Sequence, residues 1–160
     1  MAVNRIMKNR VVITGLGPVT PVGIGKNKFW QSLIQGKCGI DRISYFDTEN
    51  YPTKIAAEVK NFDYTNYISV KEANRMDKST QFSVVAAMLA LEDSKLKITE
   101  KDSYSAGVIT GSGIGGIGTL EKQHKILLEK GPGRVSPFFV PMMISNISAG
   151  EIAIKIGAKG

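Results

Sequence analysis

The sequence predicts an α/β layered fold, and two observations carry that prediction. Short apolar and β-branched runs at residues 10–14 and 106–110 are each followed by a glycine-rich turn and then by an amphipathic helix pattern. Glycine accounts for 17 of the 160 residues, more than the roughly 7% usual in proteins, and it clusters in those turns. Alternating strands and helices of this kind are typical of a sheet layered between helices.

Composition places the chain among globular proteins. Hydrophobic residues make up 42% and charged residues 22%, which excludes intrinsic disorder. No apolar run reaches the roughly 18 residues of a membrane helix, and the first residues lack a signal-peptide core. We therefore expect a cytoplasmic protein with no membrane partner. A single cysteine allows no internal disulfide and no paired-thiol metal site, so we expect neither a metal nor a cofactor.

The charge balance points to an anionic partner. Lys and Arg number 21 against 14 Asp and Glu, a formal charge of +7. Such a balance suits nucleic acid, a phosphorylated substrate or an acidic protein, and it also serves solubility alone. No nucleic-acid-binding signature accompanies the basic residues, which are spread along the chain, so no nucleic acid partner is expected.

The first half of the chain is predicted to contain a strand, a helix and a long irregular stretch. Residues 10–14 form the strand, and Asn27 caps a helix that Gly36 ends. Residues 37–70 are irregular, apart from one strand at 53–59. The apolar face of the helix consists of Phe29, Trp30, Leu33 and Ile34.

The second half begins with the clearest helix pattern, over residues 75–96, followed by a strand at 106–110 and a helix at 117–130. Residues 136–141 are predicted to be an extended apolar loop, because proline disfavours helical geometry in the residue before it. Ser145 or Asn146 then caps a last helix, ended by Gly157. The apolar stripe of the 117–130 helix consists of Ile117, Leu120, His124, Leu127 and Leu128.

Three features are candidates for a binding or catalytic site, but each is weak evidence on its own. Residues 111–116 (Gly-Ser-Gly-Ile-Gly-Gly) follow a predicted strand, as a dinucleotide-binding turn does, but no acidic residue follows about 20 residues later. Cys38 lies at a predicted helix exit, where the helix dipole does not favour a thiolate. His124 lies on an apolar stripe. No complete set of nucleophile, base and orienting group can be assembled.

Several motifs in order give the chain a resemblance to a known family, the type II β-ketoacyl-[acyl-carrier-protein] synthases. The resemblance extends from about residue 8 to residue 160. It predicts an N-terminal extension at residues 1–9 and the N-terminal portion of a ketosynthase domain at residues 10–160. The motifs are Val-Val-Ile-Thr-Gly-Leu-Gly at 11–17, Pro-Val-Gly at 21–23, Phe-Asp-Thr at 46–48, Arg-Met-Asp at 75–77, the glycine turn at 111–116, and Ser-Pro-Phe-Phe-Val-Pro at 136–141.

The resemblance implies a thiolase-like αβαβα layered fold, a homodimer, and condensation of an acyl thioester with malonyl-carrier protein in fatty-acid elongation. The family's nucleophilic cysteine and two histidines match no residue of this sequence and are expected beyond Gly160. The expected fold is therefore truncated before the nucleophile strand and helix. This chain alone contains no catalytic residue and should be inactive. It should also be unstable by itself, with apolar surfaces and a sheet edge exposed.

Five residues match binding positions of the family. Ile114 and Phe139 match residues of the acyl pocket, although both residue types would be buried in an ordinary core. Lys71, Arg75 and Arg134 match a basic surface for the acidic acyl carrier protein, which electrostatic attraction would steer to the site. The alternative for all three is solvated surface charge.

Two other functions stay open. A non-catalytic ketosynthase-like partner or chain-length subunit would share these motifs and lack the thioester-forming residue. A nucleotide-binding α/β domain would use the glycine turn, and a nucleotide would then raise its melting temperature.

Overall fold

The computed structural model describes residues 10–160, in which helices predominate and strands are short. The strands pair as two separate antiparallel hairpins, β1 with β2 and β3 with β4. The helices are α1 (Lys26–Ile34), α2 (Val70–Ala73), α3 (Lys78–Ser94), α4 (Ile117–Lys130), α5 (Phe139–Met143) and α6 (Ile147–Ile156). The strands are β1 (Val19–Thr20), β2 (Gly23–Ile24), β3 (Ile40–Arg42) and β4 (Ile55–Ala57).

The core lies where α3 packs against α6. Val84 and Val85 of α3 and Ile152 of α6 are almost completely buried there. Thr80 and Ser148 bring their hydroxyl oxygens within 3.3 Å of each other inside this contact, so neither polar group is buried without a partner. Burial of these apolar side chains is the main source of stability for the two helices.

Local capping determines where two of the helices begin. Ser69 and Glu72 form a reciprocal capping box that opens α2, a short helix that the sequence patterns did not predict. Asp77 caps α3 with an extended backbone, so α3 begins at Lys78 and not at the predicted residue 75. It ends at Ser94, and the next residue, Lys95, caps it with a left-handed φ of 56°.

A strand lies within the predicted residues 53–59, but only Ile55–Ala57 form it, as β4, and two other predictions are wrong in detail. Gly25 and not Asn27 caps α1. The segment 136–141 is not extended throughout, because α5 begins at Phe139. Pro141 is tolerated there because it lies in the first helical turn, where backbone N–H groups have no partner within the helix.

The two segments predicted as strands, residues 10–14 and 106–110, belong to no strand pair within residues 10–160. Val11 is 93% exposed and Ile109 is 100% exposed, in line with the expectation that apolar surfaces of this chain are exposed, whereas Val108 packs partly buried against the core. Segment 10–14 is attached through the next residues, since Leu16 N–H donates to Asp93 at the end of α3. Segment 106–110 is attached at its start, where Gly160 N–H donates to the carbonyl oxygen of Ala106.

Within residues 10–160, no helix is both long and apolar enough to cross a membrane. The predicted extension at residues 1–9 lies outside the described residues, and the domain boundary stays a prediction.

Candidate functional site

The glycine turn before α4 is seated against the end of α5. Gly115 has a φ of +85°, and a Cβ atom there would lie 2.4 Å from the carbonyl oxygen of Met143. Gly116 N–H donates to that same oxygen at 2.9 Å. Only glycine fits Gly115, since the left-handed backbone and the close approach both exclude a side chain. The turn therefore has a structural role in joining α4 to α5.

One carboxylate connects this turn to α3. Asp77 accepts hydrogen bonds from the N–H and hydroxyl of Ser79 in the first turn of α3. It also accepts from the N–H (3.3 Å) and hydroxyl (2.6 Å) of Thr119 in the first turn of α4. Burial opposes the charge, but the hydrogen bonds from Thr119 and Ser79 outweigh it and lower the pKa of Asp77. Asp77 thus caps two helices as an anion.

The structure brings together the two segments that carry the predicted acyl-pocket residues. Ile114 lies in the glycine turn and is 65% exposed. Phe139 is the first residue of α5 and is partly buried. Residues 115 and 116 contact the end of α5, so the backbones of these two segments are joined.

The three predicted basic residues are all exposed and lie on two separate elements. Lys71 is in α2, and Arg75 lies in the turn that connects α2 to α3. Arg134 ends a short 3-10 turn after α4 and lines a surface depression with Lys130 and Ile126. In the part of the chain that the structure describes, none of the three predicted residues forms an ion pair.

A contact that the sequence patterns missed connects the basic surface to the pocket segment. The Arg75 guanidinium carbon lies 4.5 Å from the centre of the Phe138 ring. Phe138 directly precedes Phe139 at the start of α5. The Phe-Phe pair in an apolar loop was visible in the sequence, but nothing in the pattern indicated that Arg75 would cover it.

The other candidates do not form a reactive site. The Cys38 sulfur is exposed and accepts a hydrogen bond from Ile40 N–H. His124 is exposed on α4, contrary to the expectation of an apolar environment. Among the described residues, no three His, Cys, Asp or Glu side chains are grouped so that they could hold a metal ion. Among the described residues, no nucleophile is hydrogen-bonded to a base, so what remains is a set of exposed basic residues and an apolar segment at the glycine turn and α5.

Comparison with solved structures defines the class of protein, because the fold matches ketosynthases. A structure titled "The ishigamide ketosynthase/chain length factor" is 25% identical, with a TM-score of 0.79, over 92% of this chain and 37% of that chain. A β-ketoacyl synthase from Burkholderia phymatum STM815 is 24% identical, with a TM-score of 0.76, over 93% of this chain and 37% of that chain. The second likeness shows the fold alone. The predicted fold class, the N-terminal part of a thiolase-like ketosynthase fold, is confirmed.

The family follows from the sequence comparison. The family described as "Beta-ketoacyl synthase, N-terminal domain" matches residues 8–160, and the chain belongs to it. A curated relative named 3-oxoacyl-[acyl-carrier-protein] synthase 2 from Staphylococcus aureus (strain COL) is 48% identical over 94% of this chain and 36% of its own length. A relative of the same name from Synechocystis is 48% identical over 96% of this chain and 37% of its own length. The chain thus spans about a third of the length of these relatives.

Proposed function

We propose that this chain is part of a 3-oxoacyl-[acyl-carrier-protein] synthase of fatty-acid elongation. The observation that carries this proposal is 48% identity, over 94% of the chain, to a relative of that name. The family match over residues 8–160 supports it. An α/β fold by itself would not, because one fold hosts many functions.

The proposed reaction is a decarboxylative condensation. An acyl thioester, a malonyl thioester on the carrier protein and one proton give a 3-oxoacyl thioester, carbon dioxide and a free thiol. The bond that forms joins the malonyl methylene carbon to the acyl carbonyl carbon, and the malonyl carboxylate leaves as carbon dioxide. The family resemblance matches no residue of this sequence to the nucleophilic cysteine or the two histidines, so the role that we propose for its residues is binding.

Its first contribution is to the acyl pocket. Ile114 and Phe139 lie on the glycine turn and on α5, which are held together by the Gly116–Met143 hydrogen bond. Apolar side chains on two segments that are hydrogen-bonded to each other suit an acyl chain, because pockets for apolar ligands are largely preformed.

Its second contribution is a basic surface for the acyl carrier protein. Lys71, Arg75 and Arg134 are exposed and have no internal ion-pair partner among the described residues. A solved structure with this fold is titled as a type II PKS acyl-carrier protein in complex with its ketosynthase. It is 23% identical, with a TM-score of 0.79, over 96% of this chain and 41% of that chain. The homodimer and the cytoplasmic location stay predictions.

A condensation assay on the full-length protein tests the proposal. We expect carbon dioxide release and 3-oxoacyl-carrier product from acyl and malonyl-carrier substrates. The charge reversals Lys71→Glu and Arg134→Glu should raise KM for the carrier-bound substrate about threefold to tenfold each, with a weaker dependence on salt. Lys101→Glu, at an exposed lysine after α3, is the matched control and should change neither the KM nor its dependence on salt. Absence of product with both substrates present would overturn the proposal.

A non-catalytic chain-length subunit is the second candidate, because one structure with this fold is titled ketosynthase/chain length factor. The two functions differ in whether an acyl thioester forms on the protein. Incubation with a radiolabelled acyl thioester, followed by denaturation, should leave label on a synthase and none on a chain-length subunit.

A further inference from the structure

We propose that Phe138 is a positioning residue that holds the Arg75 guanidinium ready for a carboxylate of the acidic carrier protein. This inference rests on the proposed function, and it adds a residue that neither the motifs nor the fold assigned to the docking surface. The chemistry is that of an arginine stacked on an aromatic ring, with its N–H edge left to bind the partner.

The contact itself has the distance that a cation–π interaction requires. The guanidinium carbon of Arg75 lies 4.5 Å from the ring centre of Phe138, inside the roughly 6 Å range of a cation–π interaction. A guanidinium that covers a ring is occupied through its face only. Its five N–H donors point along its edges and stay available for a bidentate contact with an oxyanion.

The backbone that carries the Phe138 ring is held by hydrogen bonds. Phe138 N–H donates to the hydroxyl of Ser136, and the carbonyl oxygen of Phe138 accepts from Met142 N–H inside α5. Ser136 N–H in turn donates at 2.8 Å to the side-chain oxygen of Gln123, which is buried on α4. The N–H group of Phe138 is therefore connected to α4 through Ser136, and its carbonyl group is hydrogen-bonded within α5.

The charge of Arg75 is not used inside the described structure. Within residues 10–160, no carboxylate lies within ion-pair distance of its guanidinium. A free arginine loses much rotational entropy when it binds a partner, and stacking on a fixed ring removes part of that loss in advance. Arg75 therefore differs from Lys71, which has no aromatic platform among its described contacts and should contribute mainly long-range attraction.

A double-mutant cycle in the full-length protein tests the inference. The probe is the apo form of an acidic bacterial acyl carrier protein, and the measurement is its Kd by titration calorimetry at low and at moderate salt. Phe138→Leu keeps an apolar side chain and removes the ring face, so we expect about threefold to fivefold weaker binding. Arg75→Gln should weaken binding about tenfold. The double variant should be no weaker than Arg75→Gln alone, because the ring acts only through the guanidinium.

Two further variants separate positioning from general damage. Phe138→Tyr keeps the ring face and should retain wild-type affinity, while Val140→Ala, an exposed change in the same helix, should have no effect. Circular dichroism melts confirm that each variant is folded. Only Arg75→Gln should reduce the slope of log Kd against log salt, because only that change removes a charge.

Additive losses from Phe138→Leu and Arg75→Gln would overturn the inference, and so would loss of affinity in Phe138→Tyr. Either outcome would leave the proposed function standing, provided that the wild-type protein binds the carrier. If the wild-type protein does not bind the carrier at all, both the docking surface and this inference are wrong.

Discussion

The contact between α3 and α6 and the two extended segments at 10–14 and 106–110 are similarly apolar in sequence but opposite in structure. Val84, Val85 and Ile152 are at most 5% exposed. Val11 and Ile109 are exposed over nearly their whole surface, and only Val108 of segment 106–110 packs partly buried against the core. An apolar pattern therefore shows that a segment favours burial, but a matching surface must lie against it before burial occurs.

The two regions also differ in how their backbones are satisfied. The helices α3 and α6 pair their own backbone N–H and C=O groups. An extended segment must find another strand for the same purpose. This is why local sequence is enough to specify α3, whereas the structure of segment 106–110 depends on residues distant in the chain.

Truncation of a core isoleucine should show the largest effect of this difference. Ile152→Ala should lower the free energy of unfolding of residues 1–160 by about 2–5 kcal/mol, since it leaves a cavity in the α3–α6 contact. Ile109→Ala should cost less than about 0.5 kcal/mol, because its side chain is already exposed. Urea unfolding followed by circular dichroism measures both. Equal losses would mean that Ile109 is covered in solution.

Asp77, which accepts hydrogen bonds from the first turns of both α3 and α4, tests how local capping stabilises the helical region. Asp77→Ala removes an acceptor from the first turns of both α3 and α4, so we expect a loss of about 1 kcal/mol for each helix. The midpoints of urea unfolding curves measure this loss in the free energy of unfolding. Ser69→Ala, at the cap of the short helix α2 alone, should cost only about half as much.

The same carboxylate makes a prediction for pH. The pKa of Asp77 is lower in the folded chain than its usual value, because hydrogen bonds from Thr119 and Ser79 outweigh burial. Its contribution is therefore complete above the unfolded pKa of about 3.9 and is lost as the pH falls through the lower, folded value. Asp77→Asn should be less stable than wild type at pH 7, and the gap should narrow by pH 3. A constant gap would contradict the assignment.

The attachment of segment 10–14 to α3 can be tested by adding a single methyl group at Gly17. A Cβ atom on Gly17 would lie 1.9 Å from the carbonyl oxygen of Ala86, in helix backbone that cannot move away easily. Gly17→Ala should cost about 1–3 kcal/mol through overpacking. Gly113→Ala, where a Cβ atom would meet nothing within 4 Å, should cause no loss. Urea unfolding of the two variants provides the comparison.

The exposed segments should influence association more than stability. Ile109→Lys should change the free energy of unfolding by less than about 0.5 kcal/mol, yet it should reduce self-association of residues 1–160, because an apolar strand with unpaired backbone groups favours edge-to-edge contact. Sedimentation velocity measures this. Ile154→Lys, an exposed isoleucine on α6, is the control and should reduce association less.

The sequence by itself determined the features that depend on neighbouring residues. The period of 3.6 in apolar residues predicted α3, α4 and α6, because a helix satisfies its own backbone and needs only one apolar face. The glycine spacing predicted the turn at 111–116, and the motif order predicted the family. The five binding residues Ile114, Phe139, Lys71, Arg75 and Arg134 came from that resemblance, and their roles stay predictions.

Only the tertiary structure decided which of these features meet. Arg75 and Phe138 are 63 positions apart in the sequence and stack at 4.5 Å, while Asp77 and Thr119 join the starts of two helices. No local pattern encodes such pairs, because a side-chain contact depends on how whole elements are oriented. The same reason explains the exposed segments. Apolar character is a property of the residues themselves, whereas burial is a property of what lies against them.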